Sequence, residues 1–277
     1  MPFFENNFAK LHYYEYGSGE QIMLAFHGFG MRGTQFSVLE EAFGSQYKIY
    51  SFDIFFHGNT ELKDCSLEVI RKGLQPTLLS TQIQAFLKSK GVEEEENFSL
   101  LSYSIGAKFA WSLIENMSQR VHNAYFIAPD GIEPNKLLTF GAGNKLINKI
   151  FHQLVYSPST VKFILDNLYK FKYIDASLHR ILDFEFGTVE TRLICYNTIT
   201  YFNSMRFERQ KLAQVINECN INCHFYFGKK DKLFPPAIGL RFAKLLNKPN
   251  MHIFEEGHEL VNNKLMQYLS LQLVSND

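Results

Sequence analysis

Three residues of this chain, Ser104, Asp231 and His258 in that order, are of the types that together activate a serine hydroxyl. A serine hydroxyl attacks a carbonyl poorly at neutral pH unless an imidazole takes its proton. The imidazole in turn needs a carboxylate to hold its tautomer and its orientation. Because each of the three closely follows a short apolar or aromatic run, the sequence predicts Ser104 as nucleophile, Asp231 as acid and His258 as base.

The segment 102–106, which reads Ser-Tyr-Ser-Ile-Gly, has small residues two positions before and two positions after Ser104. A nucleophile on a sharp strand-to-helix turn needs small neighbours, because the strand and the helix nearly touch around it. Alone the pattern is common, but here it stands between an apolar run at 98–101 and helical spacing at 105–118. The amide of Ile105, at the start of that helix, is a candidate oxyanion donor.

A second turn, 27–30, reads His-Gly-Phe-Gly and directly follows the apolar run 22–26. Two glycines let the backbone turn tightly and point an amide inward, so Phe29 is the candidate for a second oxyanion donor. An ordinary strand-to-helix turn is the alternative for this motif taken alone. His27, His57 and Tyr103 are candidates for the substrate pocket, and structural hydrogen bonding is the alternative for both histidines.

Short apolar runs alternate with helical spacing along most of the chain, which is typical of βαβ units and a doubly wound, mostly parallel sheet. Near-continuous apolar runs indicate strands buried on both faces. We expect strands at 11–16, 22–26, 49–52, 98–101, 124–128, 224–227 and 251–254, with 11–16 at the sheet edge, and helices at 33–43, 76–90, 105–118, 235–247 and 259–273.

The interval 132–209 breaks this alternation, because it shows helical patterns and no clear strand. An insertion after the carboxyl end of a strand belongs over the edge of the sheet where α/β proteins bind ligands. We therefore predict a core formed by residues 1–131 and 210–277, with 132–209 as a helical cap.

Composition restricts the partners of the protein. Lysine plus arginine and aspartate plus glutamate both number 28, whereas nucleic-acid binding requires a basic surplus. No apolar run approaches the roughly 20 residues of a membrane span, and no secretory signal pattern is present. We expect a cytoplasmic protein that acts on a small molecule. No motif predicts a metal or another cofactor, and the oligomeric state is left open.

With these motifs in place, the chain resembles the α/β-hydrolase superfamily, in particular its capped serine hydrolases, from about residue 11 to residue 273. The resemblance implies the roles given above for Ser104, Asp231, His258 and the amides of Phe29 and Ile105. Some members carry the acid at the position of Asp130 instead. Asp231 is favoured because a proline follows four residues later, as is common in the acid loop of the family.

The chain departs from the family pattern at two places. In the loop 53–60, usually Asp-x-x-Gly-x-Gly-x-Ser, Phe56 replaces a glycine and Thr60 replaces the serine, so we expect a different path there. Ser102 replaces the first glycine of the elbow. Serine at 104 argues against the epoxide and haloalkane hydrolases of the family, which carry aspartate.

Three functions are consistent with these residues. The first is an esterase-like serine hydrolase that cleaves an acyl bond of a small, lipophilic substrate through an acyl-enzyme. The second is a carbon–carbon bond hydrolase or a lyase with the same triad, acting on a carboxylated substrate; the arginines available to clamp it are Arg180, Arg192, Arg206 and Arg209. The third is a non-catalytic, ligand-binding relative.

Overall fold

The computed structural model describes residues 2–133, 141–173, 179–180, 182–183 and 186–274. Within these residues the chain forms a nine-stranded mixed sheet in the order β1-β2-β4-β3-β6-β7-β8-β9, with β5 paired to β2. The strands are β1 (Phe3–Glu5), β2 (Ala9–Tyr16), β3 (Gln21–Phe26), β4 (Tyr47–Phe52), β5 (Glu61–Leu62), β6 (Phe98–Tyr103), β7 (Val121–Ile127), β8 (Asn222–Gly228) and β9 (Asn250–Phe254).

The six strands from β4 to β9 in this order run parallel, whereas β1, β2 and β5 pair antiparallel. Every residue of β6 is buried, as expected for a central strand that is covered on both faces. Parallel strands end at the same edge of the sheet, so the turns after β3, β6, β8 and β9 all leave from the carboxyl edge. The predicted doubly wound, mostly parallel sheet is confirmed.

Ten α-helices have both of their ends in the described part of the chain. They are α1 (Glu40–Phe43), α2 (Leu67–Lys72), α3 (Pro76–Ser89), α4 (Ala107–Met117), α5 (Lys145–Val155), α6 (Pro158–Lys170), α7 (Val189–Tyr201), α8 (Arg209–Glu218), α9 (Pro236–Ala243) and α10 (Asn263–Val274). α4 packs against both α3 and α8, and α1 packs against α10. None of the described helices is long and apolar enough to cross a bilayer.

The chain divides into two compact units. The first comprises residues 1–64, 75–134 and 205–277 and contains the sheet; the second comprises residues 65–74 and 135–204. Residues 65–74, which we had assigned to the core, belong to the second unit because the Leu74 amide donates to the Tyr201 carbonyl and Arg71 donates to Asn148. The role of 132–209 as a cap stays a prediction.

Two local expectations differ from the structure. The strand predicted at 11–16 begins at Ala9 and is not at the edge, because β1 pairs outside it. β1 has only three residues, too few for a periodic pattern to be recognised. The helix predicted at 33–43 is a 3-10 helix over Gly33–Leu39 that continues into the short α1.

Candidate active site

Ser104 occupies a strained turn between β6 and α4. Its φ of +51° is in the left-handed region, which costs a residue with a side chain about 1–3 kcal/mol. The Asp130 amide donates to the Ser104 carbonyl at 3.0 Å and helps to hold the turn. Gly106 is required there, because a Cβ at this position would lie 2.0 Å from the Phe26 carbonyl oxygen. The backbone therefore projects Ser104 from the carboxyl edge at close contact with the end of β3.

A continuous series of hydrogen bonds joins the three predicted side chains. The Ser104 Oγ lies 3.1 Å from the His258 Nε2, and the His258 Nδ1 lies 2.7 Å from the Asp231 Oδ2. The Nδ1–H group of His258 donates a hydrogen bond to the Asp231 carboxylate. Nε2 then carries no proton and can accept the proton of the serine hydroxyl. The Asp231 side chain is fully buried, whereas about a quarter of the His258 side chain is exposed.

Backbone hydrogen bonds tie the loop after β8 to the loop after β9. The Lys229 amide donates to the Phe254 carbonyl at 2.8 Å, and the Lys230 amide donates to the Glu256 carbonyl at 2.9 Å. Gly228 permits this approach, because a Cβ there would lie 1.9 Å from the Gly257 carbonyl oxygen. Asp231 and His258 are thus positioned relative to each other by backbone as well as by their own side chains.

The surroundings of Asp231 keep its carboxylate ionised. Burial alone would raise its pKa, but hydrogen bonds from His258 and from the Phe234 and Leu233 amides outweigh burial, and the pKa lies below its ordinary value. The two amides donate to Oδ1 at 3.0 and 2.8 Å, which leaves Oδ2 for the imidazole. A fixed negative charge beside Nδ1 is what an imidazole needs to accept a proton at Nε2.

Asp130, the alternative acid, is engaged elsewhere. Its Oδ1 accepts the Gly131 amide at 2.7 Å, and its Oδ2 lies 3.9 Å from the Lys108 Nζ. Its backbone carbonyl accepts the Trp111 indole N–H. The carboxylate that meets His258 is therefore that of Asp231, and Asp130 supports the turn that carries Ser104.

The two predicted oxyanion donors belong to turns that meet beside Ser104. A Cβ on Gly28 would lie 3.5 Å from the Ser104 Cβ, so the turn that contains Phe29 runs next to the nucleophile. The Gly28 amide donates to the Gln35 side chain. Among the described residues, neither the Phe29 amide nor the Ile105 amide has a hydrogen-bond partner. The two amides therefore stay the predicted oxyanion donors.

Known structures with this arrangement of strands are numerous. One is MGS-M2, an alpha/beta hydrolase enzyme from a Medee basin deep-sea metagenome library, with a TM-score of 0.68 at 14% identity over 99% of this chain and 96% of that one. Another is a thermophilic esterase from Thermogutta terrifontis, with a TM-score of 0.67 at 12% identity over 96% and 94%.

A third is the thioesterase domain from the curacin biosynthetic pathway, with a TM-score of 0.65 at 14% identity over 98% of both chains. The chain has the α/β-hydrolase fold. No family model matches it, and no curated protein matches its sequence. At these identities the structural similarity establishes the fold alone.

Within this α/β-hydrolase fold, two of the predicted pocket residues have structural contacts instead. His27 is fully buried, with Nδ1 2.7 Å from the Gly28 carbonyl oxygen and Nε2 accepting the Ile54 amide. Burial, with the neighbouring His57, lowers the pKa of His27 to about 3. Both ring nitrogens of His27 are occupied by backbone groups, which favours structural hydrogen bonding, the alternative to contact with substrate.

Tyr103 is also buried, and it supports the imidazole. Its ring centroid lies 5.2 Å from that of His258, and its hydroxyl donates to the His258 carbonyl at 3.2 Å. Phe234 contributes a second ring, 5.5 Å from His258, which the sequence analysis missed. Its position three residues after Asp231 is the signal that could have indicated it.

His57 remains a candidate for contact with substrate. Its Nδ1 donates to the Phe55 carbonyl at 3.0 Å, and its buried Nε2 has no hydrogen-bond partner among the described residues. Its ring packs against Phe29 with the centroids 5.2 Å apart. Burial lowers the pKa of His57, so the ring stays neutral and Nε2 can accept a hydrogen bond.

Proposed function

We propose that the protein is a serine hydrolase that cleaves an ester-type bond of a small, lipophilic substrate through an acyl-enzyme. The observation that carries this proposal is the series Ser104 Oγ, His258 and Asp231, with separations of 3.1 and 2.7 Å. The positive φ of Ser104 supports it, because strain of this kind in a buried turn is common where a side chain is held for chemistry.

In the proposed reaction, His258 Nε2 takes the proton of Ser104 as Oγ attacks the acyl carbonyl. The amides of Phe29 and Ile105 hold the oxyanion of the tetrahedral intermediate, and a donor of this kind contributes about 3–4 kcal/mol. The protonated imidazole, stabilised by Asp231, returns the proton to the leaving alcohol. A water molecule activated by His258 then releases the acyl group and regenerates the serine.

Two observations favour an ester over a carboxylated substrate cleaved at a carbon–carbon bond. Arg192 is buried and donates to the Val155 and Phe186 carbonyls. Arg209 is paired with Glu133 at 2.6 Å. These two arginines already have partners, whereas the half-buried Phe234 ring beside the imidazole suits an apolar acyl or alcohol group.

A fluorophosphonate probe tests the proposal directly, because it phosphonylates serines that an imidazole has activated. We expect the protein to be labelled at Ser104 and the Ser104→Ala variant to be unlabelled. The same variant should lose about 10⁴-fold or more in kcat with nitrophenyl esters. Ser102→Ala is the matched control, since Ser102 lies two residues away in β6 and does not contact His258.

A folded protein that the probe does not label at Ser104 would favour the non-catalytic relative. Labelling without ester turnover, combined with cleavage of a vinylogous diketone acid, would favour the carbon–carbon hydrolase. Full esterase activity in Ser104→Ala would show that Ser104 is not the nucleophile. It would exclude both the ester hydrolase and the carbon–carbon hydrolase that use this residue.

A further inference from the structure

α5 and α6, in the second unit, turn some of their apolar side chains to the interior and leave others exposed. Their inner faces line an apolar cavity of about 170 Å³ with Phe151, Leu154, Val161 and Leu165 among its walls. A surface helix normally keeps its apolar residues in one stripe that faces the interior. Apolar residues that stay exposed on such a helix therefore need a separate explanation.

The outer side of this region is apolar and exposed. Phe163 and Leu146 are 69% and 68% exposed, and Phe171 and Tyr173 just after α6 are 64% and 78% exposed. We define the aromatic–lysine surface by these residues together with Ile150 and Tyr169 and by the exposed lysines of the same segment, Lys145, Lys149, Lys162, Lys170 and Lys172.

The charge of this surface is one-sided. Residues 141–173 contain five lysines and one aspartate, although acidic and basic residues balance over the whole chain. Asp166, the aspartate, lies 3.1 Å from His179. None of the five lysines has a carboxylate within 4.0 Å among the described residues, and all five are exposed.

Exposed aromatic rings beside unpaired lysines fit the interface of an anionic membrane. Phenylalanine, leucine and tyrosine side chains gain by entering the boundary between headgroups and acyl chains. Lysine side chains extend their ammonium groups toward the phosphates, and each strengthens the attraction to an anionic surface. A second copy of the chain fits poorly, because a symmetric contact through this surface would place lysines against lysines.

We propose that the aromatic–lysine surface docks the protein on an anionic lipid surface, with the rings in the headgroup boundary and the lysines at the phosphates. Docking of this kind would bring the protein to lipids whatever reaction Ser104 performs.

Co-sedimentation of the whole protein with vesicles tests the proposal. We expect binding to phosphatidylcholine vesicles that contain phosphatidylglycerol, weak binding to phosphatidylcholine alone, and release at high salt. The double variant Lys149→Gln, Lys162→Gln should bind the anionic vesicles about tenfold more weakly or worse. Phe163→Ser with Phe171→Ser should weaken binding to a similar extent.

Two matched controls lie in the first unit. Lys248→Gln removes an exposed lysine and Leu271→Ser removes a leucine that is 76% exposed, and neither should change vesicle binding. Circular dichroism establishes that each variant is folded, and the salt and lipid dependence of the unmodified protein needs no variant at all.

Three results would overturn the proposal. One is that the unmodified protein fails to bind anionic vesicles at low salt. Another is equal binding with and without phosphatidylglycerol. The third is a concentration-dependent dimer, detected by light scattering and abolished by Phe163→Ser, in a protein that does not bind vesicles; the surface would then serve a second copy.

Discussion

Two aspartate–histidine pairs with a buried carboxylate lie in the described part of the first unit, and in only one of them does the imidazole face a serine hydroxyl. The His12 Nδ1 lies 2.8 Å from the Asp53 Oδ2, and the His258 Nδ1 lies 2.7 Å from the Asp231 Oδ2. Each carboxylate also accepts two backbone amides. The two pairs are therefore alike in length, burial of the carboxylate and backbone support.

They differ at the second nitrogen of the imidazole. The His12 Nε2 is buried and has no hydrogen-bond partner among the described residues, and its ring lies between Phe3 and Tyr14. The His258 Nε2 faces the Ser104 Oγ from a partly exposed side chain. An aspartate–histidine pair alone is thus no more than a structural contact. The group that faces Nε2 decides whether the pair can take part in a reaction.

The largest expected effect comes from changing each aspartate to asparagine. Asp231→Asn should lower kcat by about 10⁴-fold while the fold is retained, because an amide stabilises the wrong tautomer and no imidazolium. Asp53→Asn should change the kcat of the folded protein by no more than a few fold. It should lower the free energy of unfolding by about 3 kcal/mol or more, because the new amide N–H₂ group would face N–H donors. Ester kinetics and urea unfolding measure the two effects.

Asp130→Asn is the matched control for the acid. Its carboxylate bonds Gly131 and approaches Lys108, so kcat should stay close to that of the unmodified protein. A loss in Asp130→Asn as large as that in Asp231→Asn would reassign the acid. A loss of kcat in folded Asp53→Asn would mean that the two pairs are not functionally distinct.

The fully buried His27 adds a third histidine to this comparison, and its effect can be measured as the pH dependence of the free energy of unfolding. Its folded pKa of about 3 lies below the unfolded value near 6.5, so between these values the unfolded chain binds a proton that the folded chain does not. The stability that this group contributes is fully present above pH 6.5. It is lost as the pH falls toward 3, by about 1.4 kcal/mol per pH unit and up to about 5 kcal/mol in total.

Urea unfolding between pH 7 and pH 4 measures this slope. His27→Gln should be less stable than the unmodified protein at pH 7, because the hydrogen bonds to Ile54 and Gly28 are disturbed. As the pH falls, however, its free energy of unfolding should decrease less steeply, by the slope that corresponds to one bound proton. His122→Gln, at an exposed histidine, is the control and should keep the original slope. Equal slopes in His27→Gln and the unmodified protein would show that His27 is not held neutral.

Periodicity and motif spacing predicted most of the sheet and the meeting of Ser104, Asp231 and His258. Buried parallel strands have near-continuous apolar runs, and the turns after them must share one edge of the sheet. The contacts that distinguish His27 from His258 could not be predicted in this way. Both histidines follow a strand, and only the fold shows that one ring is enclosed by backbone and the other faces a hydroxyl.

The same limit applies to β1 and to the loops around Asp231. β1 is too short to show a pattern, and the hydrogen bonds of Lys229 and Lys230 to the loop after β9 join segments that lie far apart in sequence. Gly228 and Gly257 are visible in the sequence, but that a Cβ at Gly228 would meet the Gly257 carbonyl is a property of the tertiary structure.

The smallest expected effect concerns the backbone strain at Ser104. It tests how the residue is held in place and not whether its hydroxyl reacts. Both Ser104→Ala and Ser104→Gly remove the hydroxyl, but only glycine relieves the positive φ. Ser104→Gly should therefore be more stable than Ser104→Ala by about 1 kcal/mol, despite the greater freedom of glycine in the unfolded chain. At Ser102, in the extended β6, the order should reverse, since glycine weakens a strand interior. Urea unfolding of the four variants measures both differences, and glycine less stable than alanine at both positions would mean that the turn stores no strain for the nucleophile.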